Sequence, residues 1–224
     1  MKQHLHNPID GNGEIFKSPT KLSSLQKNAR LEVDDFTFAD IYTNIEYSEN
    51  IWVEKACDLA IESVKHGGGP FGAIVLQLDS NTNEIIRYWQ AVNLVAHLND
   101  PTAHAEIMAI RRAAHSLGVY HLNQIDKATN KLPQPGPLSR CLLISSCEPC
   151  PMCLAAIYWA KIDEVYFAAT RFTAGQPQIN FSDAFIYNEL DKPYYGRQLK
   201  IGKCVASNVN AAFKLWQNSN NKPY

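Results

Sequence analysis

From Ile51 onward, apolar and polar positions alternate between helical and extended periods. Ile51, Ala56, Leu59, Ala60, Ser63 and Val64 recur at helical spacing. They predict a helix over Ile51 to His66, ended by Gly67-Gly68-Gly69-Pro70. Phe71 to Leu78 predicts a strand, Asp79-Ser80-Asn81 a turn, and Ile85 to Val92 a second strand. After a polar loop, Ile107, Ile110, Ala114 and Leu117 share one face of a helix expected from His104 to Leu117. Lys127 to Pro137 holds three prolines and predicts a surface loop or insertion. Cys141 to Ser145 predicts a short apolar strand, Cys150 to Trp159 a helix, and Glu164 to Ala169 a further strand. Beyond them come a helix near Phe185 to Leu190, a strand over Leu199 to Val205, and a last helix near Ala211 to Gln217. This alternation predicts an α/β layered domain, one sheet sandwiched between helices, and leaves the strand order open.

Residues 1–48 are polar and carry no sustained hydrophobic period. They predict an N-terminal extension, flexible or loosely draped over a domain formed by residues 49–224. Phe36, Phe38, Ile41 and Tyr42 leave a docked short segment open as an alternative.

The chain of 224 residues fits one domain of ordinary size, and its 46% hydrophobic content suits a buried core. Its 21 Lys and Arg nearly cancel its 22 Asp and Glu, for a formal net charge of -1. A polyanion binder normally carries a basic excess that displaces counterions from phosphates, so a small-molecule partner is expected and nucleic acid is not. No apolar run approaches the roughly 20 residues that span a bilayer, so no membrane partner is expected. The N-terminus lacks the apolar stretch of a secretory signal and is too poor in Arg for a mitochondrial presequence. Six cysteines in that context predict reduced thiols and a cytoplasmic setting. Three of them, Cys147, Cys150 and Cys153, crowd into seven residues and suggest metal before disulfide.

Two short motifs carry chemistry: His104-Ala105-Glu106 and Pro149-Cys150-Pro151-Met152-Cys153. Catalytic zinc typically takes three protein ligands and leaves a fourth position for water. Cys150 and Cys153 stand at i and i+3, so two thiolates at a helix start can face one ion. The positive end of that helix favours the thiolate form. His104, opening the other helix, supplies the nitrogen. Glu106 projects differently and is better placed as a proton carrier than as a fourth ligand. Two other readings stay open here. The Cys pair is also compatible with a redox pair, or with a structural zinc site that Cys147 would close as fourth ligand. Joined in this order, H-x-E and P-C-x-x-C form the signature of the zinc nucleobase deaminases.

The stretches Asn99-Asp100-Pro101-Thr102-Ala103-His104-Ala105-Glu106-Ile107 and Ser146-Cys147-Glu148-Pro149-Cys150-Pro151-Met152-Cys153 resemble the cytidine deaminase-like superfamily. They lie on the branch holding guanine deaminases and tRNA adenosine deaminases. Gly68 to Ala73, Ala156 to Ala160, Asp183 to Glu189, Phe213 to Trp216 and Lys222-Pro223-Tyr224 resemble the bacterial-type guanine deaminases. The similarity runs from about residue 51 to the end. It implies a three-layer α/β/α sandwich around a central mixed five-stranded sheet, with one catalytic Zn2+ per subunit. It further implies hydrolysis of guanine to xanthine and ammonia, with guanosine, another aminated purine or a tRNA adenosine as alternative substrates. By the same resemblance, Asn93 orients the purine, Phe71 stacks on it, Trp159 walls the pocket, and Asp183 attends the departing amino group beside Glu106. The resemblance also implies that Tyr224 closes the pocket and that the protein is a homodimer exchanging its C-terminal segment. Read without the family, Phe71 and Trp159 are also compatible with core aromatics, Asn93 with a turn residue, Asp183 with a helix N-cap and Tyr224 with a frayed end. The N-terminal extension, the longer Pro-rich loop and the weak match over Ala174 to Asn180 depart from the family pattern. A non-catalytic zinc-stabilised module is the alternative of another class; it would keep the ligands and need no Glu106.

Overall fold

The computed structural model describes residues 20–21, 41–42, 45 and 49–221. Phe36, Phe38 and most of the expected extension lie outside the described residues. The elements, in chain order, begin with β1 (Thr20–Lys21), α1 (Ile51–Lys65), β2 (Gly72–Asp79) and β3 (Glu84–Val92). There follow α2 (Val95–Leu98), α3 (Ala105–Leu117), β4 (Ile125–Asp126), β5 (Leu138–Cys147) and α4 (Pro151–Trp159). β6 (Val165–Ala169), α5 (Arg171–Ala174), α6 (Ala184–Leu190) and α7 (Ala211–Gln217) complete the chain.

Local chemistry sets the boundaries. Asn50 caps α1 by accepting the Trp52 N–H at 2.8 Å, and Gly67 leaves the helix at φ 80°. Asp79 Oδ1 accepts the N–H groups of Asn81 and Thr82 at 2.9 and 3.1 Å, which fixes the β2–β3 turn. α3 closes on Gly118 at φ 71°.

The sheet runs β1-β3-β2-β5-β4, with β6 pairing β5. β5 and β6 are parallel and every other pair is antiparallel, so the sheet is mixed. Five strands belong to the domain proper, and the two-residue β1 adds a sixth at the β3 edge. Every residue of β2 is buried, because helices cover both faces. Ile74, Leu76 and Leu78 pack with Trp52, Ala56 and Leu59 of α1. Ala73 and Val75 pack on the other face with Ala105, Ala109 and Ala113 of α3 and Ile157 of α4. Period-two alternation in the strands thus builds two apolar cores in an α/β/α sandwich. A Cβ on Gly72 would fall 2.4 Å from the Ala56 carbonyl oxygen and 2.6 Å from Leu59 Cβ, so α1 lies directly on the start of β2.

One sequence expectation is corrected and another is refined. Leu199 to Val205 forms no strand: the segment is irregular, and Val205 is fully exposed. Its apolar residues pair with no strand among the described residues, and spacing alone does not make a strand. Lys127 to Pro137 is a surface loop as expected, but Gln134 within it is buried. The Gln134 amide donates to the carbonyls of Ile125, Gly136 and Pro137, and its Oε1 accepts from Gln77 and Ser139. Arg87, also buried, donates to the Pro133 carbonyl. The insertion is therefore pinned to the sheet by buried polar groups. Among the described residues, no helix is long and apolar enough to cross a membrane.

Candidate metal centre and active site

The sheet topology brings the two motifs to one end of the central strands. Gly72 pairs with Val92 and Ala73 with Ser145, so the C-terminal ends of β3 and β5 meet at the start of β2. α3 begins shortly after the first of these ends and α4 shortly after the second. His104 and Cys150 occupy the N-cap positions of those two helices, both with extended backbone. Pro151 suits the first position of α4, where its missing N–H costs nothing.

His104 Nδ1 lies 3.5 Å from Cys150 Sγ and 3.5 Å from Cys153 Sγ, with all three ligand atoms within 4.8 Å of one another. A tetrahedral zinc with Zn–S near 2.3 Å and Zn–N near 2.0 Å sets sulfur and nitrogen about 3.5 Å apart. One imidazole and two thiols at that spacing fit the ion. The protein groups alone already favour a thiolate. The hydrogen bond from Cys153 and the neighbouring His104 pull Cys150 down to about 4, while Cys153, held beside that thiolate and buried, is raised. The hydrogen bond to Cys150 raises His104.

Cys147 is not in this cluster. It is buried, its Sγ donates to the Thr170 carbonyl at 3.6 Å, and burial pushes it up to about 12. Among the described residues the group therefore has three ligands and no fourth. That disfavours the closed structural site.

Glu106 lies on the first turn of α3 and is 5% exposed. Burial raises its pKa, and Ser145 Oγ donates to its Oε1 at 3.4 Å. A carboxyl group held dry beside the ligands suits proton exchange. Ser145 was not singled out from the sequence, although strand alternation places it on the face of β5 that carries Cys141 and Leu143.

Asn93 is buried at the end of β3. Its N–H donates to the Phe71 carbonyl at 3.1 Å, and its Oδ1 accepts the Val95 N–H at 3.2 Å. A Cβ on Gly69 would meet its side chain at 3.2 Å, so the Gly-rich turn is shaped around it. Phe71 is half-buried, with its ring edge-on to Phe181 at 5.1 Å. Asp183 stands at the N-cap of α6 without a side-chain cap bond. It lines a cleft of about 200 Å³ with Arg171, Phe172, Ser182 and Tyr187, and burial raises its pKa.

Trp159 is not brought to this cluster. It is 65% exposed at the far end of α4, nine residues beyond Cys150 and so about 13 Å along the helix axis. Tyr224 lies outside the described residues.

An α/β/α sandwich that joins an imidazole, two thiols and a buried glutamate at one end of its central strands defines a zinc-dependent deaminase. A family model described as the cytidine and deoxycytidylate deaminase zinc-binding region matches residues 47–169, and the chain belongs to that family. It is 40% identical over 172 residues to a guanine deaminase of Bacillus subtilis, covering 76% of this chain and 95% of the relative. The crystal structure of guanine deaminase from Bacillus subtilis superposes with a TM-score of 0.63 at 38% identity, covering 77% of this chain and 96% of that one. A tRNA-specific adenosine deaminase of Aquifex aeolicus is 30% identical over 141 residues, covering 63% of this chain and 75% of the relative.

Proposed function

We propose that this chain hydrolyses guanine to xanthine and ammonia, with one zinc per subunit held by His104, Cys150 and Cys153. The observation that carries the reading is the three-ligand cluster with the buried Glu106 carboxyl group beside it. When bound, zinc supplies a Lewis acid that lowers the pKa of water to about 7.

Glu106 accepts a proton from the attacking water and passes it to a ring nitrogen of the purine. As the C2 carbonyl forms, Glu106 takes the remaining proton of the added hydroxyl and gives it to the departing amino group, because ammonia can leave and amide ion cannot. Asp183, raised by burial and facing the cleft, attends the amino group at C2. Asn93 orients the base, Phe71 lies against its face, and Trp159 and Tyr224 complete the pocket in the assembled protein.

Two surfaces support a homodimer that exchanges C-terminal segments. The outer side of α4 exposes Leu154, Tyr158 and Trp159, and the arm through α7 exposes Leu199, Phe213 and Leu215. A second copy of the chain would bury both, and would bring Trp159 and Tyr224 to a site that one chain leaves open. Light scattering on the native protein tests this; a monomer at micromolar concentration contradicts it. None of the six cysteines is paired in a disulfide, which suits a cytoplasmic location.

Incubation of the zinc-loaded protein with guanine, following ammonia release, tests the activity. Guanosine and a tRNA wobble stem-loop serve as competitors. Faster turnover of the nucleoside or of the RNA would replace guanine as substrate, and no turnover of any would end the reading. The near-zero net charge argues against the RNA.

A further inference from the structure

Three groups converge on one carboxylate beside the metal loop. Glu148 Oε2 accepts the Tyr42 hydroxyl at 2.6 Å and the backbone N–H of Arg171 at 2.9 Å, and Arg171 Nε lies 4.0 Å from Oε1. The Glu148 N–H donates to the Ala169 carbonyl at 2.8 Å, which ties this carboxylate to the end of β6. Arg171 in turn packs its guanidinium over the rings of Phe172 and Tyr187, at 4.9 and 4.2 Å, and lines the cleft with Asp183.

Tyr42 is half-buried, with its ring edge-on to Phe167 and Phe172 at 6.3 and 6.4 Å. It precedes residue 47, where the match to the family begins. We propose that Tyr42 is a positioning residue: by fixing Glu148 it holds Arg171 in place and sets the wall of the substrate cleft from outside the family domain. The proposal rests on the reading of that cleft as the purine site. Tyr42 is the one partner of the Glu148 carboxylate outside Arg171 among these contacts, so loss of its hydroxyl leaves Oε2 held by the Arg171 amide alone and lets the carboxylate shift with Arg171. The ligands His104, Cys150 and Cys153 stand at the starts of α3 and α4, whose buried packing residues Ala105, Ala109, Ala113 and Ile157 lie in a core cluster that does not include Tyr42.

The test is Tyr42→Phe in the full chain, which keeps the ring contacts and removes only the hydroxyl. The expected result is a KM for guanine raised about three- to tenfold, a fraction of what a hydrogen bond to a charged group contributes. kcat should stay within about twofold and zinc content should be unchanged. In an Arg171→Ala background, Tyr42→Phe should add no further rise in KM. Independently of substrate, deuterium exchange at the Arg171 amide should quicken, since that N–H shares the Glu148 oxygen. Unchanged KM with unchanged Arg171 exchange overturns the proposal, and so does loss of zinc. If the wild-type protein fails to turn over guanine, the substrate reading falls, while the exchange measurement still decides whether Tyr42 holds Arg171.

Discussion

Replacing Glu106 by Gln separates chemistry from metal binding. The side chain is 5% exposed, and its Oε1 accepts from Ser145 Oγ at 3.4 Å. Gln keeps the volume and an acceptor oxygen, so neither a cavity nor an orphaned Ser145 hydroxyl arises. Glu106 is not among the three clustered ligands, so zinc should bind as before. What disappears is a group able to take and return a proton. Positioned acid–base transfer is typically worth about 10²–10⁴ in rate, or roughly 2.7–5.5 kcal/mol of barrier. The assay is the initial rate of guanine consumption by purified protein, with zinc measured per subunit on the same sample. A Glu106→Gln protein within tenfold of wild type at full zinc loading would refute the proton-carrier assignment. One that lost its zinc would show that Glu106 serves the metal instead.

Other variants address neighbouring claims. Cys150→Ala should lose zinc, whereas Cys147→Ser, whose sulfur turns to Thr170, should keep it; elemental analysis of both distinguishes three ligands from four. Gly72→Ala forces a methyl group against the Ala56 carbonyl and Leu59; overpacking of this kind costs about 1–3 kcal/mol. In a domain of this size that should lower Tm by a few degrees, and an unchanged Tm would mean α1 moves away freely. Gln134→Ala should destabilise by about 1–3 kcal/mol for each buried partner left unpaired. Urea unfolding measures that cost, and a change under 0.5 kcal/mol, roughly the scatter of a surface substitution, would mean water takes over its role.

The parts of the fold that sequence reveals are those with strong local period or fixed chemistry. α1 and α3 follow from apolar residues at helical spacing, and α4 from Pro151 set between two cysteines at i and i+3. The cluster of His104, Cys150 and Cys153 was legible because each motif needs only its own helix start, and the sheet brings the two starts together. Strand ends were less legible. β5 begins at Leu138 rather than Cys141, because Ser139 and Arg140 are polar yet paired with β2. Leu199 to Val205 shows the converse: extended propensity in a segment that pairs with no described strand. Contacts between distant segments left no local trace. Gln134 reads as loop polarity, and Tyr42, 106 residues from Glu148, carries no spacing that would pair them. Trp159 was placed by resemblance to a pocket, and in one chain it stands exposed.

His104 and Cys150 are separated by 46 residues, a stretch that includes α3, β4 and β5. An ion gripping both would thus cross-link two helix starts on one face of the sheet, closing a long loop that the unfolded polypeptide leaves open. Its binding energy is then also folding energy. A cell short of the metal would hold less intact protein, and not simply a full complement of idle enzyme.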